Sequence, residues 1–433
     1  SFIDDFYSSY GYYFGDITVD PKNQERIYIT GVPLLFSDNG GKTFQSIDGD
    51  NVHSDHHVVW INPNNPNHLV NGNDGGLNIT YDNGKSWQLC NSIPVGQFYA
   101  VNVDEQEPYN IYGGLQDNGV WVGASNYSAS IGWQQEGKYP YARLMGGDGM
   151  QIQIDKRNPN IVFTGYQYGS YYRINRADES KSKFIAPKAK KGDKPYRYNW
   201  QSPILLSSHN QDILYLGSNF LHRSMNQGDT WTAISPDLTQ GGKQGNVAFG
   251  TLTTISESPF EFGVLYTGSD DGLVQFSNNG GANWKVISTT LPQNLWVSRV
   301  VASAHKKERV YVALNGYRND DFTNYVYVSE DTGQTWKSIA NNLPSSPVNV
   351  IIEDSVLDSV LYVGTDNGLY ISVDGGASWQ DFSNGMPSVA VHDLVIQKKA
   401  KDLIVGTHGR SVYKVSLKQV QELKKEVLDK TLY

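Results

Sequence analysis

The feature that most constrains this chain is an eight-residue pattern that occurs six times. In its best copies the pattern reads Ser/Thr, any residue, Asp, any residue, Gly, any residue, Ser/Thr, Trp. A pattern repeated along a chain identifies a repeat architecture before any single residue is considered. We call these segments the octads, and they are "SDNGGKTF" (37–44), "TYDNGKSW" (80–87), "SMNQGDTW" (224–231), "SNNGGANW" (277–284), "SEDTGQTW" (329–336) and "SVDGGASW" (372–379).

The residue types of the octads predict a tight turn that joins two antiparallel strands. A carboxylate in the turn accepts backbone N–H groups, glycine supplies positive φ, and the aromatic residue is expected to pack back on its own hairpin. Three copies carry Asn in place of Asp, which keeps an acceptor oxygen but removes acid–base chemistry. The octad position is therefore predicted to be structural at Asn39, Asp82, Asn226, Asn279, Asp331 and Asp374.

Each octad belongs to a longer unit, as in "VNVIIEDSVLDSVLYVGTDNGLYISVDGGASWQDF" (348–382). This segment reads as strands A, B, C and D, with the octad between strands C and D. Nine such units follow one another at steps of about 40 to 52 residues, as expected for the four-stranded blades of a β-propeller. The predicted fold is all-β, with one short C-terminal helix on which Val420, Leu423 and Val427 share a face.

The nine units divide naturally into two groups. Seven of them lie within 93–416, a common count for a closed propeller, and residues 1–92 hold the other two. A single ring of nine blades is the alternative, and 417–433 is predicted to be a helix or tail. The last unit has no octad and no strand D, so another segment must supply its closing strand, and residues 1–9 are one candidate.

Composition excludes several classes of function. A formal net charge of -9 disfavours a nucleic-acid partner, because phosphate contacts need a surface dominated by Lys and Arg. No apolar run approaches the roughly 20 residues of a membrane helix. The first residues also lack the basic start and apolar core of a signal peptide. Cys90 is the only cysteine, which excludes an internal disulfide, and no cofactor is predicted.

The octads and three further segments carry a family resemblance. The segments are 52–77 ("VHSDHHVVWINPNNPNHLVNGNDGGL"), 93–119 ("IPVGQFYAVNVDEQEPYNIYGGLQDNG") and the pair "VHDLV" (391–395) and "LIVGTHGRSVY" (403–413). Together they resemble the sortilin-like, bacterial-neuraminidase-repeat (Asp-box) β-propeller proteins, which are related to double-propeller glycoside hydrolases that cleave xyloglucan. The resemblance implies an extracytoplasmic protein (secreted, periplasmic or cell-surface) whose signal peptide is not present in this chain. It also implies that residues 1–92 are two blades of an incomplete N-terminal propeller.

The order of strands in a blade predicts where ligands bind. The A/B and C/D turns, and with them the octads, lie on one rim, whereas the B/C and D/A connections lie on the opposite rim, where functional side chains are expected. Aromatic faces and carboxylates on that rim suit the binding of sugars. The predicted ligand-binding residues are Gln116, Tyr166, Tyr168, Trp200, Asp270, Asp271, Trp296, Arg318, Asp366, His392, His408 and Arg410, and Asp74, Asp320 and Asp321 share the rim.

Asp117 and Asp148 are the predicted catalytic pair if the chain is an enzyme. Inverting glycoside hydrolysis needs two carboxyl groups about 6.5 to 9.5 Å apart, one protonated and one ionised. The alternative is that "QDNG" and "GGDG" are turns in which each carboxylate binds local N–H groups. In "THGR", His408 and Arg410 likewise either bind an anion or brace a turn.

A weak metal-site candidate lies in "VHSDHHVVW", where His53, Asp55 and His57 would share one face of a strand. Alternate side chains on a strand stand about 6.5 to 7 Å apart, too far for ligand bonds near about 2.1 Å, so a hydrogen-bonded cluster is favoured and no metal is predicted.

Two loops depart from the repeat. Segment 176–200, with six lysines between 181 and 194, is predicted to be a solvated excursion without a specific ligand, and 315–325 a lid or partner contact.

These observations favour a binding or scaffold module for a glycan or a protein. The first alternative is an inverting glycoside hydrolase that resembles the xyloglucan-cleaving enzymes. The second alternative is a structural subunit of a secreted or cell-surface assembly.

Overall fold

The computed structural model describes residues 13–90, 93–128, 130, 140–243, 245 and 247–422. Over these residues the chain forms nine antiparallel sheets, eight with four strands and the last with three. In every sheet the strands pair in sequence order. The prediction of an all-β chain built from nine blade units is confirmed.

The chain divides into two compact units, Ser1–Val95 and Gly96–Tyr433. The first unit holds two sheets. Their strands are β1 (Ile17–Asp20), β2 (Asn23–Ile29), β3 (Leu35–Ser37) and β4 (Gln45–Ser46), then β5 (His56–Ile61), β6 (Leu69–Asn73), β7 (Gly76–Thr80) and β8 (Gln88–Leu89).

The second unit holds seven sheets, which we number blade 1 to blade 7. Blade 1 comprises β9 (Phe98–Val103), β10 (Asn110–Leu115), β11 (Gly119–Ala124) and β12 (Tyr141–Met145). Blade 2 comprises β13 (Gln153–Ile154), β14 (Ile161–Tyr166), β15 (Ser170–Asn175) and β16 (Lys183–Phe184). Blade 3 comprises β17 (Ile204–Leu206), β18 (Leu214–Gly217), β19 (Leu221–Ser224) and β20 (Thr232–Ala233). Blades 4 and 5 comprise β21 (Leu252–Glu257), β22 (Leu265–Ser269), β23 (Val274–Ser277) and β24 (Lys285–Val286); β25 (Trp296–Ala302), β26 (Val310–Asn315), β27 (Tyr325–Ser329) and β28 (Lys337–Ser338). Blades 6 and 7 comprise β29 (Val348–Glu353), β30 (Leu361–Thr365), β31 (Gly368–Ser372) and β32 (Gln380–Asp381); β33 (Val391–Gln397), β34 (Asp402–Thr407) and β35 (Val412–Ser416).

Helical structure is sparse. Two 3-10 turns lie in loops, at Glu179–Lys181 and Tyr317–Asn319. Of the predicted C-terminal helix, 418–422 are helical, and Val420 packs at the edge of the core between blades 6 and 7. Leu423 and Val427 lie outside the described residues. No helix of the described ranges has the length and apolar character needed to cross a bilayer.

The seven blades of the second unit close into a ring. Strands A of successive blades pack side by side, and β33 and β34 of blade 7 pack against β9 of blade 1. The backbone N–H groups of Gly409 and Ser411 both donate to the carbonyl of Gly96, at 2.9 and 3.1 Å. A small apolar cluster of Val101, Tyr109 and Ile404 fills the same junction. Because strands A of different blades are neighbours, they form the inner wall of the ring.

The core lies between blades rather than within them. Each junction of the ring has its own cluster of buried side chains, as a stack of radial sheets requires. Tyrosines of strand B reach across some junctions. The hydroxyl of Tyr215 donates to Glu257 of the next blade at 2.9 Å, and that of Tyr311 donates to Glu353 at 3.1 Å. The packing of each blade therefore depends on its neighbours.

Each octad forms a hydrogen-bonded turn between strands C and D. In the octad of blade 5, the hydroxyl of Ser329 accepts the N–H of Gly333 at 2.8 Å. The Asp331 carboxylate accepts the N–H of Thr335 at 2.9 Å and its hydroxyl at 2.6 Å. In copies with Asn the amide oxygen takes the same N–H, as between Asn226 and Thr230 at 2.9 Å. These contacts match the local role that the residue types predict.

The octad tryptophan does not pack only on its own hairpin, as the sequence suggested. Its indole N–H donates to a backbone carbonyl just after strand D of the preceding blade. The distances are 2.7 Å for Trp336 to Ile287 and 2.6 Å for Trp379 to Ile339. Equivalent bonds join Trp87 to Ile47, Trp231 to Ile185 and Trp284 to Ile234. The octad is therefore an inter-blade fastener.

Blade 7 ends in strand β35, whose outer edge pairs with no strand of the described residues. The Lys414 ammonium donates to the carbonyl of Ser125 in blade 1 at 2.9 Å. The candidate closing segment, residues 1–9, lies outside the described residues.

Substituting the octad glycine of blade 6 tests the fastener. Gly375 and Gly376 both have positive φ, 71° and 85°. A Cβ on Gly376 would lie 2.8 Å from Cβ of Ile339 in blade 5, whereas one on Gly375 would meet nothing within 4 Å. We expect Gly375→Ala to cost about 1 kcal/mol of backbone strain, and Gly376→Ala to cost about 1 to 3 kcal/mol more from overpacking. Thermal unfolding of both variants measures the difference, and equal midpoints would contradict an inter-blade role.

Acid should weaken the octads that carry Asp. Hydrogen bonds from Thr335 and Ser329 lower the pKa of Asp331 from 3.8 to about 2. A carboxylate with a lowered pKa stabilises the fold above its unfolded pKa, and this contribution is lost as the pH falls through the folded pKa. We expect the difference in melting temperature between wild type and Asp331→Asn to shrink between about pH 4 and about pH 2. Asp193→Asn, at an exposed residue, is the control, and a pH-independent difference would refute the assignment.

Candidate ligand-binding site

Residues that follow strand B occupy equivalent places on one rim of the second unit. The backbone N–H of each donates to the carbonyl of the residue before strand A of the same blade. The bonds run from Gln116 to Gln97, Asp270 to Thr251, Asp366 to Pro347 and His408 to Ala390, at 2.8 to 3.1 Å. We call this rim, with its B/C turns and D/A connections, the B/C mouth. The octads lie on the opposite rim.

The inner wall of the ring carries a charged pair that was not predicted. Arg299 of β25 and Asp393 of β33 each follow a bulge in strand A, and Nη2 of Arg299 lies 2.7 Å from Oδ1 of Asp393. The other carboxylate oxygen accepts the N–H of Val101 in blade 1 at 3.0 Å. The pair borders a cavity of about 160 Å³. The only signal in the sequence was a charge inside an otherwise apolar strand.

A larger cavity of about 220 Å³ lies at the other end of strands A in blades 1 to 3. Its acidic lining is already committed to the fold. Asp104 accepts hydrogen bonds from the N–H and side-chain amide of Asn110 and from the hydroxyl of Tyr112. Larger volume therefore does not make this cavity the better candidate site.

Asp148 anchors the part of the B/C mouth formed by blades 1 to 3. Its side chain is buried, with 5% of the residue exposed, and its oxygens accept three hydrogen bonds. The donors are the indole of Trp200 at 3.0 Å, the hydroxyl of Tyr99 at 3.4 Å and the backbone N–H of Asp117 at 3.1 Å. The structure thus brings the predicted pair Asp117 and Asp148 together, but through the backbone of Asp117.

Tyr168 and Trp200 form an exposed aromatic pair beside this anchor. They are 44% and 40% exposed, and their ring centroids lie 5.1 Å apart at an interplanar angle of 78°. The N–H of Tyr168 donates to the carbonyl of Trp200 at 3.2 Å, which joins the backbones of the two residues. Tyr166 turns toward Tyr172 of its own blade, with ring centroids 6.1 Å apart. Of the predicted aromatics of blades 2 and 3, Tyr168 and Trp200 are therefore the exposed ones.

Blades 4 and 5 supply a second group. The guanidinium of Arg318 lies 4.2 Å from the ring centroid of Trp296, a cation–π contact. Tyr317 and Phe322 of the same loop are 61% and 51% exposed. The predicted long loop 315–325 thus adds aromatic surface to the mouth.

Asp270 and Asp271 are buried below this loop rather than displayed. Asp270 accepts the Thr251 hydroxyl at 2.6 Å and the Gly250 N–H at 2.9 Å, and burial raises its pKa. Asp271 accepts the Gln240 N–H at 2.6 Å. In the same loop, Asp321 accepts the hydroxyl of Tyr325 at 2.7 Å, and Asp320 occupies a left-handed turn position with φ 55°.

Blade 7 contributes two stacked imidazoles, and blade 6 contributes polar groups beside them. His392 and His408 lie with ring centroids 4.3 Å apart at 12°, and burial lowers the pKa of both, that of His392 to about 3. Asn349 donates to Asp366 at 2.8 Å nearby. The Tyr99 ring lies 5.5 Å from that of His408 and so joins this group to Asp148. Tyr99 was not predicted, because it lies on strand A, whereas functional side chains were expected on the B/C and D/A connections.

Arg410 is exposed at the end of this run, and its backbone N–H donates to the Thr407 hydroxyl at 3.1 Å. Gln116 is half-buried in the B/C turn of blade 1, where its carbonyl accepts the N–H of Asn118 at 2.7 Å. Both residues lie where the strand order predicted.

The metal-site candidate in the first unit was placed wrongly. Strand β5 begins at His56, so His53 and Asp55 precede it and do not share a strand face with His57. His53 pairs with Asp55 at 3.1 Å, while His57 pairs with Asp74 at 2.7 Å. Within the described ranges, no group of three or more His, Cys, Asp or Glu side chains could hold a metal ion.

Comparison with known proteins gives distant structural likeness only. Neither the family models nor the curated proteins gave a match to this chain. A solved structure of the GH74 enzyme of Niastella koreensis is similar at 12% identity and a TM-score of 0.39, over 92% of this chain and 74% of that chain. The GH74 xyloglucanase from Xanthomonas campestris is similar at 12% identity and a TM-score of 0.31, over 93% of this chain and 70% of that chain.

Proposed function

We propose that this chain is a glycan-binding propeller and that its ligand lies across the B/C mouth of the second unit. The observation that carries the proposal is the exposed aromatic pair Tyr168 and Trp200, held rigidly beside the buried Asp148. A second aromatic group, around Trp296, adds to the same rim.

The chemistry of this rim suits a sugar chain. Aromatic faces cover the apolar side of a pyranose, and fixed polar groups bind its hydroxyls. The indole of Trp200 donates to Asp148, and its backbone carbonyl accepts the N–H of Tyr168, so little conformational entropy is lost when a ligand stacks on the ring. The Arg299–Asp393 ion pair joins strands A of two blades and so reduces the width of the opening inside the ring. We therefore expect the ligand to lie across the B/C mouth rather than to pass through the ring.

Two finer statements belong to the same proposal. Membership in the sortilin-like Asp-box family is supported by the octad turns, which use the Ser, Asp and Gly positions as that pattern implies. An extracytoplasmic location follows from that family resemblance. The division into two propellers, with residues 1–92 as part of an incomplete one, is proposed on the same ground.

Truncating Trp200 tests glycan binding. We expect wild type to bind at least one ligand on a glycan array, and Trp200→Ala and Trp296→Ala to weaken that binding by about tenfold, as loss of a central aromatic anchor does. Trp200→Phe keeps an aromatic face and should retain more affinity than Trp200→Ala.

Phe262 provides the matched control for these variants. It is 45% exposed and lies in the A/B turn of blade 4, on the octad rim. Phe262→Ala should leave glycan binding unchanged when titrated by calorimetry. Equal losses in all variants, or wild-type affinity in both tryptophan variants, would refute the proposed site.

Inverting hydrolysis by Asp117 and Asp148 is the second proposal, favoured by their adjacency at the mouth. If the chain is a hydrolase, Asp117→Asn and Asp148→Asn should each abolish release of reducing sugar from a glycan panel. Release that persists in both variants removes these two residues as the catalytic pair, whereas no release by wild type leaves binding, or a structural role in a larger assembly, as the function.

A further inference from the structure

A basic loop projects from the connection between blades 2 and 3. The hydroxyl of Tyr198 donates to the carbonyl of Pro187 at 2.8 Å, which ties the two ends of segment 187–198 together. Four lysines lie within the tied loop and all are exposed, namely Lys188, Lys190, Lys191 and Lys194. Asp193 is the only acidic residue of the loop.

These lysines differ from the two that precede them. Lys181 pairs with Asp178 at 3.1 Å and Lys183 pairs with Asp229 at 2.8 Å. None of the four loop lysines pairs with a carboxylate in the part of the chain that the structure describes, and Lys188 lies 5.1 Å from the ring centroid of Phe184. The loop is therefore a local excess of positive charge on a chain whose formal net charge is -9.

The base of the loop packs on the B/C turn of blade 2, which carries Tyr168. A Cβ at Gly169 would lie 2.4 Å from the ring of Tyr198, so that ring covers the turn that carries Tyr168. Arg197 fixes the same end of the loop by bonds to Asp237 at 2.7 Å and to the Gly250 carbonyl at 3.0 Å. Trp200 follows two residues after Tyr198. The loop that carries the four lysines is therefore anchored beside the proposed sugar platform.

The carboxylate nearest this platform does not cancel their charge toward a ligand. Asp148 is buried and its oxygens are occupied by three donors. Asp117, the other acid at this part of the mouth, is one half-buried residue against the four exposed lysines of the loop. A ligand that stacks on these rings and carries anionic groups would gain ion pairs that a neutral sugar cannot form.

We infer that the B/C mouth binds an acidic glycan, whose carboxylate or sulfate groups pair with Lys188, Lys190, Lys191 and Lys194 while its sugar rings stack on Tyr168 and Trp200. This inference rests on the proposed function and narrows its ligand class. The sequence alone suggested a solvated loop without a ligand. What changes that reading is the packing of Tyr198 on Gly169, which places the charges beside the aromatic pair.

The test compares glycans of different charge on matched lysine variants. The probes are polygalacturonate for carboxylate, dextran sulfate for sulfate, dextran as the neutral sugar and polyglutamate as an acidic non-sugar. The loop variant carries K188Q, K190Q, K191Q and K194Q together. The control variant carries K285Q, K337Q, K398Q and K418Q, which makes the same change in net charge at exposed lysines elsewhere.

We expect wild type to bind polygalacturonate, dextran sulfate or both more tightly than dextran, and the acid group preferred identifies the source of the anion. The loop variant should lose about tenfold in that affinity, as four surface ion pairs allow, and the control variant less than about twofold. The loss should be larger at about 20 mM than at about 300 mM NaCl, because salt screens exposed charges.

Other outcomes overturn the inference in distinguishable ways. Wild-type affinity in the loop variant, together with loss in Trp200→Ala, would refute the acidic ligand but keep the glycan site. Equal affinity for polyglutamate and polygalacturonate would make the loop a site for acidic protein instead. Loss in the loop variant with full binding by Trp200→Ala would separate the charges from the aromatic pair. Binding to none of the sugars would defeat both proposals.

Discussion

The bond from an octad indole to a carbonyl of the preceding blade joins four of the ring's seven neighbouring pairs of blades and is the contact that most directly sets how those blades pack. A radial sheet cannot bury its own two faces, so each blade needs its neighbours to complete a core. The octad joins two blades at one residue, because its tryptophan donates a hydrogen bond to an isoleucine of the preceding blade and its glycine packs against that same isoleucine. In blade 6 the glycine is Gly376 and the isoleucine is Ile339. An exposed turn thereby also aligns two sheets.

Fastening the blades on one rim leaves the opposite rim to other uses. The octads use their carboxylates and hydroxyls locally, whereas the B/C mouth displays Tyr168, Trp200, Tyr317 and Phe322 to solvent. Most acidic residues of the B/C mouth are buried beneath its surface and hold its loops in place by accepting hydrogen bonds. Asp148, Asp270 and Asp271 are all buried and accept hydrogen bonds from their surroundings, so they position the rim more than they contact what binds there.

The architecture was predictable from the sequence because the repeat has strong local causes. Gly, Asp and the hydroxyl residues of the octads encode a turn, and the alternation of strands around them encodes a blade. The order of the strands does not predict which residue of another blade a given side chain contacts. Nothing in the octad reveals that Trp336 bonds to Ile287, which lies 49 residues earlier. Tyr99 and Arg299 were missed for the same reason, since their roles arise from blades that meet only after the ring closes.

Local pattern also misled where strand ends were guessed. His53, Asp55 and His57 seemed to share one face, but β5 begins at His56 and the three side chains divide between two pairs. Asp117 and Asp148 were predicted as a catalytic pair without a difference in burial between them. They differ because one is buried under three donors, a contrast that burial decides and sequence does not display.

The octads are distributed unevenly, and this makes the ring mechanically asymmetric. Blades 3 to 6 carry octads, so the joints from blade 2 to blade 6 have indole bonds, whereas the joints 6/7, 7/1 and 1/2 have none among the described residues. Of the described clusters between blades of the ring, that between blades 7 and 1 is the smallest. The arc without these bonds is expected to deform more easily than the rest of the ring, and the stacked imidazoles and Tyr99 lie on it. Binding sites that change shape when a ligand binds commonly lie in regions of low local stability.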